Sequence, residues 1–180
     1  FDLSKINKSG AVFDVSKLDW MNGQYIKKRD NESLAEMIKG KGIDIQDDLL
    51  LKIISVEKER LSRVYDLIEH LPIYQETPSY PDEILVWKKS DAKDALEQLS
   101  GISTFIESLS EPQFESAELI EQAIKGYISS NELQNGNVLW PMRVALSGTK
   151  QSPSPFELAW VLGRDETLSR IQNAIQDLKK

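Results

Sequence analysis

One arginine is notable for the apolar segment that carries it and the polar segment that follows. Arg143 lies within an otherwise apolar run from Leu139 to Leu146, and residues 147–154 then supply three serines and one threonine. A guanidinium is a planar fork of N–H donors, and hydroxyls beside the free N–H groups of a helix start add further polar contacts. This combination predicts a small polar pocket. The simpler alternative is a surface arginine on an amphipathic helix followed by an ordinary turn.

The residues around this segment predict a helix, a turn and a second helix. Pro141 suits the first turn of a helix, where its missing N–H is not needed. Gly148 suits the left-handed residue that closes a helix. Ser152 and Ser154 can cap the following helix, with a proline at its start.

Most of the remaining chain repeats apolar residues at three- and four-residue spacing, which predicts amphipathic helices. No alternating pattern is long enough for a sheet, so the predicted fold class is all-α. Pro72 is predicted to begin a loop that runs through Pro78 and Pro81, and this loop is the best candidate boundary. The predicted helical stretches are 15–28, 34–39, 44–63, 64–71, 91–109, 114–128, 157–162 and 167–178.

The composition excludes several kinds of chemistry. The chain of 180 residues has no cysteine and a single histidine, His70, so thiolate metal sites, cysteine nucleophiles and disulfide frameworks are absent. No glycine-rich phosphate-binding motif occurs, and the carboxylate pairs lie in hydrophilic surroundings typical of solvated faces. His70 lies near a predicted helix end, where a favourable interaction with the helix dipole explains it. We therefore expect a binding module rather than an enzyme with its own active site.

The charge is uneven along the chain. A formal net charge of −7 argues against general nucleic-acid binding, which depends on cationic surface. Basic residues nevertheless cluster in residues 1–29, so a local basic face is compatible with the acidic total. No apolar run approaches the ~20 residues needed to cross a bilayer, so no membrane association is expected.

Two stretches, together with the end of the chain, resemble a known family. The segment from Ala11 to Ile26, with its Trp20-Met21-Asn22-Gly23-Gln24-Tyr25 core, resembles the part that follows the catalytic core in bacterial-type glutamyl-tRNA synthetases. The Trp140-Pro141 entry, Arg143, Ser147-Gly148 and Ser152-Pro153 resemble the anticodon-binding region of the same family. The closing segment from Val161 to Leu168 is similar to the end of that region.

The resemblance implies two consecutive helical bundle subdomains: a stem-contacting one over residues 1–72 and an anticodon-binding helical cage over residues 73–180. Enzymes of this family attach glutamate to its tRNA with ATP through a glutamyl-adenylate. Their catalytic signatures do not occur here, so we expect a tRNA-recognising fragment that is inactive alone, with ATP and Mg²⁺ confined to the parent catalytic domain. The start at Phe1 likewise suggests a piece of a longer protein.

The resemblance also implies site residues. Arg143 matches an arginine that reaches anticodon bases, and Ser152 matches a hydroxyl position of the same pocket. Arg63 aligns with an arginine that in some members reads the third anticodon base, although its neighbours depart from the family pattern. With Thr149 from the same loop as Ser152, these residues form the predicted anticodon contacts.

The basic N-terminal region supplies the predicted contacts to the tRNA backbone: Lys5, Lys8, Lys27, Lys28 and Arg29. Such contacts position an RNA without specifying its sequence, and plain solvated surface is the alternative for each of them. For Trp20, Asn22 and Tyr25, core packing and capping compete with RNA contact.

The expected partner is tRNA(Glu), and whether tRNA(Gln) also binds is left open. The protein is expected to be a monomer in the cytoplasm or in an organelle matrix. The competing hypothesis from another class is a helical protein-interaction adaptor with no RNA role, whose acidic amphipathic helices would present a groove to a partner helix.

Overall fold

A computed structural model describes residues 14–88 and 90–180, and within them every regular element is helical. The predicted all-α class is confirmed. Short 3-10 turns at Lys58–Arg60, Asp82–Leu85 and Glu111–Phe114 interrupt the longer helices. The helices are α1 Val15–Lys28, α2 Asn31–Lys39, α3 Asp47–Glu57, α4 Val64–His70, α5 Pro72–Gln75, α6 Ala92–Ser108, α7 Ala117–Ser130, α8 Asn135–Ser147 and α9 Pro155–Asp177.

Several helix ends follow the local capping chemistry. Asp14 accepts a hydrogen bond from the third helical N–H of α1 at 3.2 Å, and Asp91 does the same for α6 at 2.8 Å. At α9, Ser154 and Glu157 satisfy each other's backbone N–H groups in a capping box, and Pro155 occupies the first helical position. Gly148 closes α8 with a φ of 70°, in the left-handed region. The predicted cap at Ser154 and the turn at Gly148 are therefore confirmed.

Three expectations about helix boundaries need correction. Helix α8 begins at Asn135, so Pro141 lies inside it rather than in its first turn. The missing N–H of Pro141 leaves one helical hydrogen bond unmade in a buried position. The stretch 44–63 is α3 followed by a 3-10 turn rather than one long helix, and Pro72 starts the short helix α5 rather than a loop.

Two glycines explain how helices break or approach each other. Gly163 has φ 77° and ψ 171°, so α9 consists of two helical pieces joined there, as predicted. Gly23 does not break α1. A Cβ at Gly23 would lie 3.0 Å from the carbonyl oxygen of Leu61, so this glycine permits close packing of α1 on the segment after α3.

The buried apolar core is continuous from Ile26 to Ile175. Helix α8 lies near its centre and packs against α6, α9, α7 and α5. Within α8, Val138, Met142, Val144, Ala145 and Leu146 are completely buried. A boundary between residues 72 and 73 stays a prediction.

Arg170 joins α9 to the ends of two other elements. Its side chain is 2 % exposed, and Nη1 donates to the carbonyl oxygens of Ile73 and Leu146, each at 2.6 Å. Nε donates to Glu166 Oε1 at 2.6 Å, one helical turn away. These hydrogen bonds offset the cost of burying the guanidinium, and they also satisfy one carbonyl of α5 and one of α8.

We expect Arg170→Met to lower the free energy of unfolding by about 3 kcal/mol, because it leaves two backbone carbonyls without this donor. Chemical denaturation measures this change. Lys125→Met is the matched control, since its ion pair with Glu121 is exposed and should contribute less than about 0.5 kcal/mol. Equal losses for the two variants would contradict this role of Arg170.

A second buried polar group lies at the end of α3. The Glu57 carboxylate is fully buried and accepts a hydrogen bond from the Tyr74 hydroxyl at 2.7 Å. His70 Nδ1 lies 2.9 Å from the other oxygen, and Arg60 Nη1 lies 3.9 Å from it. His70 thus contacts a specific carboxylate, which the helix-dipole explanation from the sequence did not include.

The burial of Tyr74 can be tested by measuring the free energy of unfolding at alkaline pH. Burial, together with the Glu57 carboxylate, raises the pKa of Tyr74 above its ordinary value of 10.0. Below pH 10 both states keep this proton; above it the unfolded chain releases the proton first, so stability is lost as pH rises. We expect Tyr74→Phe to reduce the alkaline slope of the unfolding free energy by about 1.4 kcal/mol per pH unit. Denaturant titrations at increasing pH measure it, and an unchanged slope would contradict this account.

Candidate nucleic-acid interface

Arg143 lies on α8 in an open groove of about 330 Å³, called here the Arg143 groove. Its side chain is half-buried, and its position in the apolar helix explains why the stem packs while the head reaches the groove. The groove is lined by Trp87, Asn135, Gly136, Leu139, Trp140 and Arg143.

The two tryptophans give the groove an aromatic wall. The ring centroids of Trp87 and Trp140 are 4.8 Å apart, with their planes tilted by 45°. Trp140 Nε1 donates to the carbonyl oxygen of Ile84 at 2.8 Å, which anchors α8 to the preceding 3-10 turn. Arg143 was predicted from the sequence as a base-reading residue; Trp87, Asn135 and Gly136 were not singled out.

The electrostatic surroundings of Arg143 disfavour its charge. Partial burial lowers the pKa of Arg143, the nearby Arg60 lowers it further, and Glu157 raises it. Within the described residues, no carboxylate oxygen forms an ion pair with Arg143. Burial and the positive charge of Arg60 therefore outweigh the Glu157 carboxylate, and no ion pair in the described part of the chain satisfies the Arg143 guanidinium, an arrangement that suits an anionic or hydrogen-bond-accepting ligand.

The hydroxyls of the loop between α8 and α9 are used inside the loop. Thr149 Oγ1 donates to the carbonyl oxygen of Gln151 at 2.7 Å and accepts from its N–H at 2.9 Å. Ser152 is 7 % exposed, and its hydroxyl donates to the carbonyl oxygen of Pro153 at 3.0 Å. Thr149 lines a separate groove beside Pro78, so the structure does not bring Thr149 and Arg143 to one pocket.

Arg63 precedes α4 and points toward α1. Its Nε lies 3.5 Å from Asp66 Oδ1 and 3.8 Å from Asp19 Oδ1, with the side chain 65 % exposed. Arg60, three residues earlier, is the arginine near Arg143. Arg60 was not singled out from the sequence; it ends the 3-10 turn after α3, whereas Arg63 immediately precedes α4.

The residues predicted to contact the tRNA backbone differ in their exposure and in their partners. Lys27 forms an ion pair with Glu59 at 3.1 Å, and Arg29 Nη1 donates to Ser33 Oγ at 3.0 Å. Lys28 is exposed and lines a shallow groove on α1. Lys5 and Lys8 lie outside the described residues.

Helix α1 exposes aromatic side chains that share the groove with Lys28. Trp20 is 64 % exposed and Tyr25 is 71 % exposed. Core packing, one alternative for these residues, is therefore wrong. Asn22 is partly exposed in the middle of α1, away from its cap.

The described part of the chain offers neither a metal site nor a membrane-spanning helix. No group of three or more metal-binding side chains is assembled in residues 14–88 and 90–180. Among the same residues, no helix has the length and apolar character needed to span a bilayer.

Comparisons with known proteins agree with the resemblance. Residues 23–175 match the family described as "Anticodon binding domain". A glutamate–tRNA ligase from Lachnoclostridium phytofermentans is 36 % identical over 183 residues, covering 99 % of this chain and 37 % of that protein. One from Porphyromonas gingivalis is 35 % identical, with 99 % and 35 % covered.

A solved structure gives the same answer. The crystal structure of a glutamate tRNA ligase from Elizabethkingia meningosepticum superposes with a TM-score of 0.79 at 30 % identity, covering 99 % of this chain and 35 % of that one. The chain described here belongs to the anticodon-binding domain family, in the form found in glutamate–tRNA ligases. It spans about 37 % of the length of the curated relatives that it matches.

The unbalanced setting of Arg143 generates a prediction about stability. Arg143→Met keeps much of the stem and removes a half-buried charge that has no partner carboxylate. We expect the free energy of unfolding to change by less than about 0.5 kcal/mol or to increase. Denaturation beside Arg170→Met measures the contrast between the two arginines. A loss at Arg143 as large as that at Arg170 would mean that Arg143 serves the fold.

Proposed function

We propose that this chain binds the anticodon loop of tRNA(Glu) and that the Arg143 groove contacts its bases. The observation that carries the proposal is the half-buried Arg143 guanidinium, which lines a groove with an aromatic wall and forms no ion pair among the described residues. Membership of the anticodon-binding domain family supports tRNA as the partner. A protein-interaction adaptor finds no comparable support.

The chemistry of the groove suits unpaired bases. Sequence-specific RNA recognition acts mainly on splayed loop bases, which are stacked on aromatic rings and read along their edges by donors such as arginine. Because this recognition is local, the net charge of −7 does not oppose it. Lys5, Lys8, Lys27, Lys28 and Arg29 are proposed to steer the RNA backbone. Lys28 is chosen for the test because it is exposed and forms no ion pair among the described residues.

We further propose that the chain works as part of a glutamate–tRNA ligase that joins glutamate to tRNA(Glu) with ATP. The chain covers about 37 % of the relatives, so ATP and Mg²⁺ are assigned to the portion that it does not cover. Alone, it should bind RNA without aminoacylation. We place this function in the cytoplasm and assign it to a monomer, with tRNA(Gln) as a second substrate to be compared.

The test compares Arg143→Met and Arg143→Lys for binding of tRNA(Glu) and of the same tRNA with each anticodon base changed. If Arg143 reads a base edge as a bidentate donor, both variants lose about 1–3 kcal/mol of binding free energy, because lysine keeps the charge but not the fork. Both should also discriminate less at one anticodon position. Filter binding or fluorescence anisotropy at fixed salt measures these affinities.

Lys28→Gln is the matched control. A phosphate contact should weaken all the tRNAs alike and reduce the dependence of log K on salt by about one unit of slope. If Arg143→Met binds every tRNA as tightly as the parent chain, the assignment of this groove is wrong.

A further inference from the structure

Trp87 differs from the other packed tryptophans in its hydrogen bonding. Trp140 Nε1 donates to Ile84, and Trp160 Nε1 donates to the carbonyl oxygen of Glu115 at 3.0 Å. For Trp87 Nε1, no hydrogen bond to another described residue is formed. Nε1 is not a buried atom left without a partner, so this N–H reaches solvent beside Gly136 at the Arg143 groove.

Gly136 makes the position of Trp87 possible. A Cβ at Gly136 would lie 2.9 Å from both Cδ1 and Cε2 of the Trp87 ring and would clash with Nε1. Glycine costs a helix about 1 kcal/mol relative to alanine. The glycine in the first turn of α8 therefore serves the close approach of this indole rather than the stability of the helix.

The ring is flanked by polar and cationic groups. Lys88 Nζ lies 4.6 Å from the Trp87 ring centroid, and Lys88 has a φ of 26°, in the left-handed region that a lysine seldom adopts. Along α8 the groove runs from Asn135 to Arg143, a rise of about 12 Å. An amide, an indole ring and a guanidinium along that span match a base and its polar edge. Lys88, whose ammonium lies over the ring, would give way to the base and match the neighbouring phosphate.

We propose that Trp87 is a base-stacking residue: one unpaired nucleobase stacks on the Trp87 ring, with a polar edge directed along α8 toward Arg143. This inference rests on the proposed function and adds a residue whose contribution is stacking rather than edge reading. Stacking on an aromatic ring tolerates any base. Trp87 therefore supplies affinity at this position, while Arg143 supplies discrimination.

The experiment uses the 180-residue chain and an anticodon stem-loop hairpin of tRNA(Glu) that carries 2-aminopurine, in turn, at each anticodon position. Stacking on an indole should quench one of the three probes. Trp87→Leu should abolish that quenching and weaken binding by roughly 5- to 100-fold, whereas Trp87→Phe, which keeps a ring for stacking but loses the electron-rich indole, should bind within about fivefold of the parent. Gly136→Ala, which displaces the ring, should behave like Trp87→Leu.

Trp20→Leu is the matched control, because it removes an exposed tryptophan from the separate groove on α1 and should leave the quenching intact. If Trp87→Leu does not fold, as judged by circular dichroism, Gly136→Ala and Trp87→Phe decide the question by losing and keeping the affinity for the hairpin. Full affinity and full quenching in Gly136→Ala or Trp87→Leu, with binding lost in Arg143→Met, would overturn the stacking role alone. Failure of the parent chain to bind the hairpin would overturn the proposed function itself.

Discussion

The hydrogen bonds of one buried guanidinium constrain how the second half of the chain assembles. Arg170 on α9 donates to the carbonyl of Leu146 near the end of α8 and to the carbonyl of Ile73 in α5. The Arg170 side chain is only 2 % exposed, and a buried charge is costly unless hydrogen-bond partners surround it. The positions of α5, α8 and α9 are therefore coupled, and the Arg143 groove inherits its geometry from that coupling because α8 forms its floor.

The fold was largely predictable because its helices obey local rules. The extent of α1, the caps at Asp14 and Asp91 and the left-handed Gly148 all follow from residue type and spacing. Pro141 was misplaced because the preference for a first turn is local, whereas its position inside α8 is set by the core on every side. Tertiary packing overrode propensity there, as it also did at the end of α3.

The site was less predictable than the fold. Arg143 could be identified from its apolar helix and the family resemblance. Its aromatic wall could not, because Trp87 and Trp140 are far apart in the sequence and no helical repeat predicts their contact. Arg60, whose charge lowers the pKa of Arg143, was not singled out from the sequence, because sequence patterns locate poorly where one helical turn ends. Ser152 and Thr149 lie in the predicted loop, but only coordinates reveal that their hydroxyls bond within it.

The hydrogen bonds inside the loop limit the conformational entropy that the loop can lose on binding. The loop after α8 is braced by Ser147, Thr149 and Ser152, each hydrogen-bonded to backbone atoms of the same short segment or of the preceding turn. A segment already held in one shape has little conformational entropy left to lose. If the proposed RNA lies against this loop, the loss of conformational entropy on binding would fall mainly on the RNA rather than on this part of the protein.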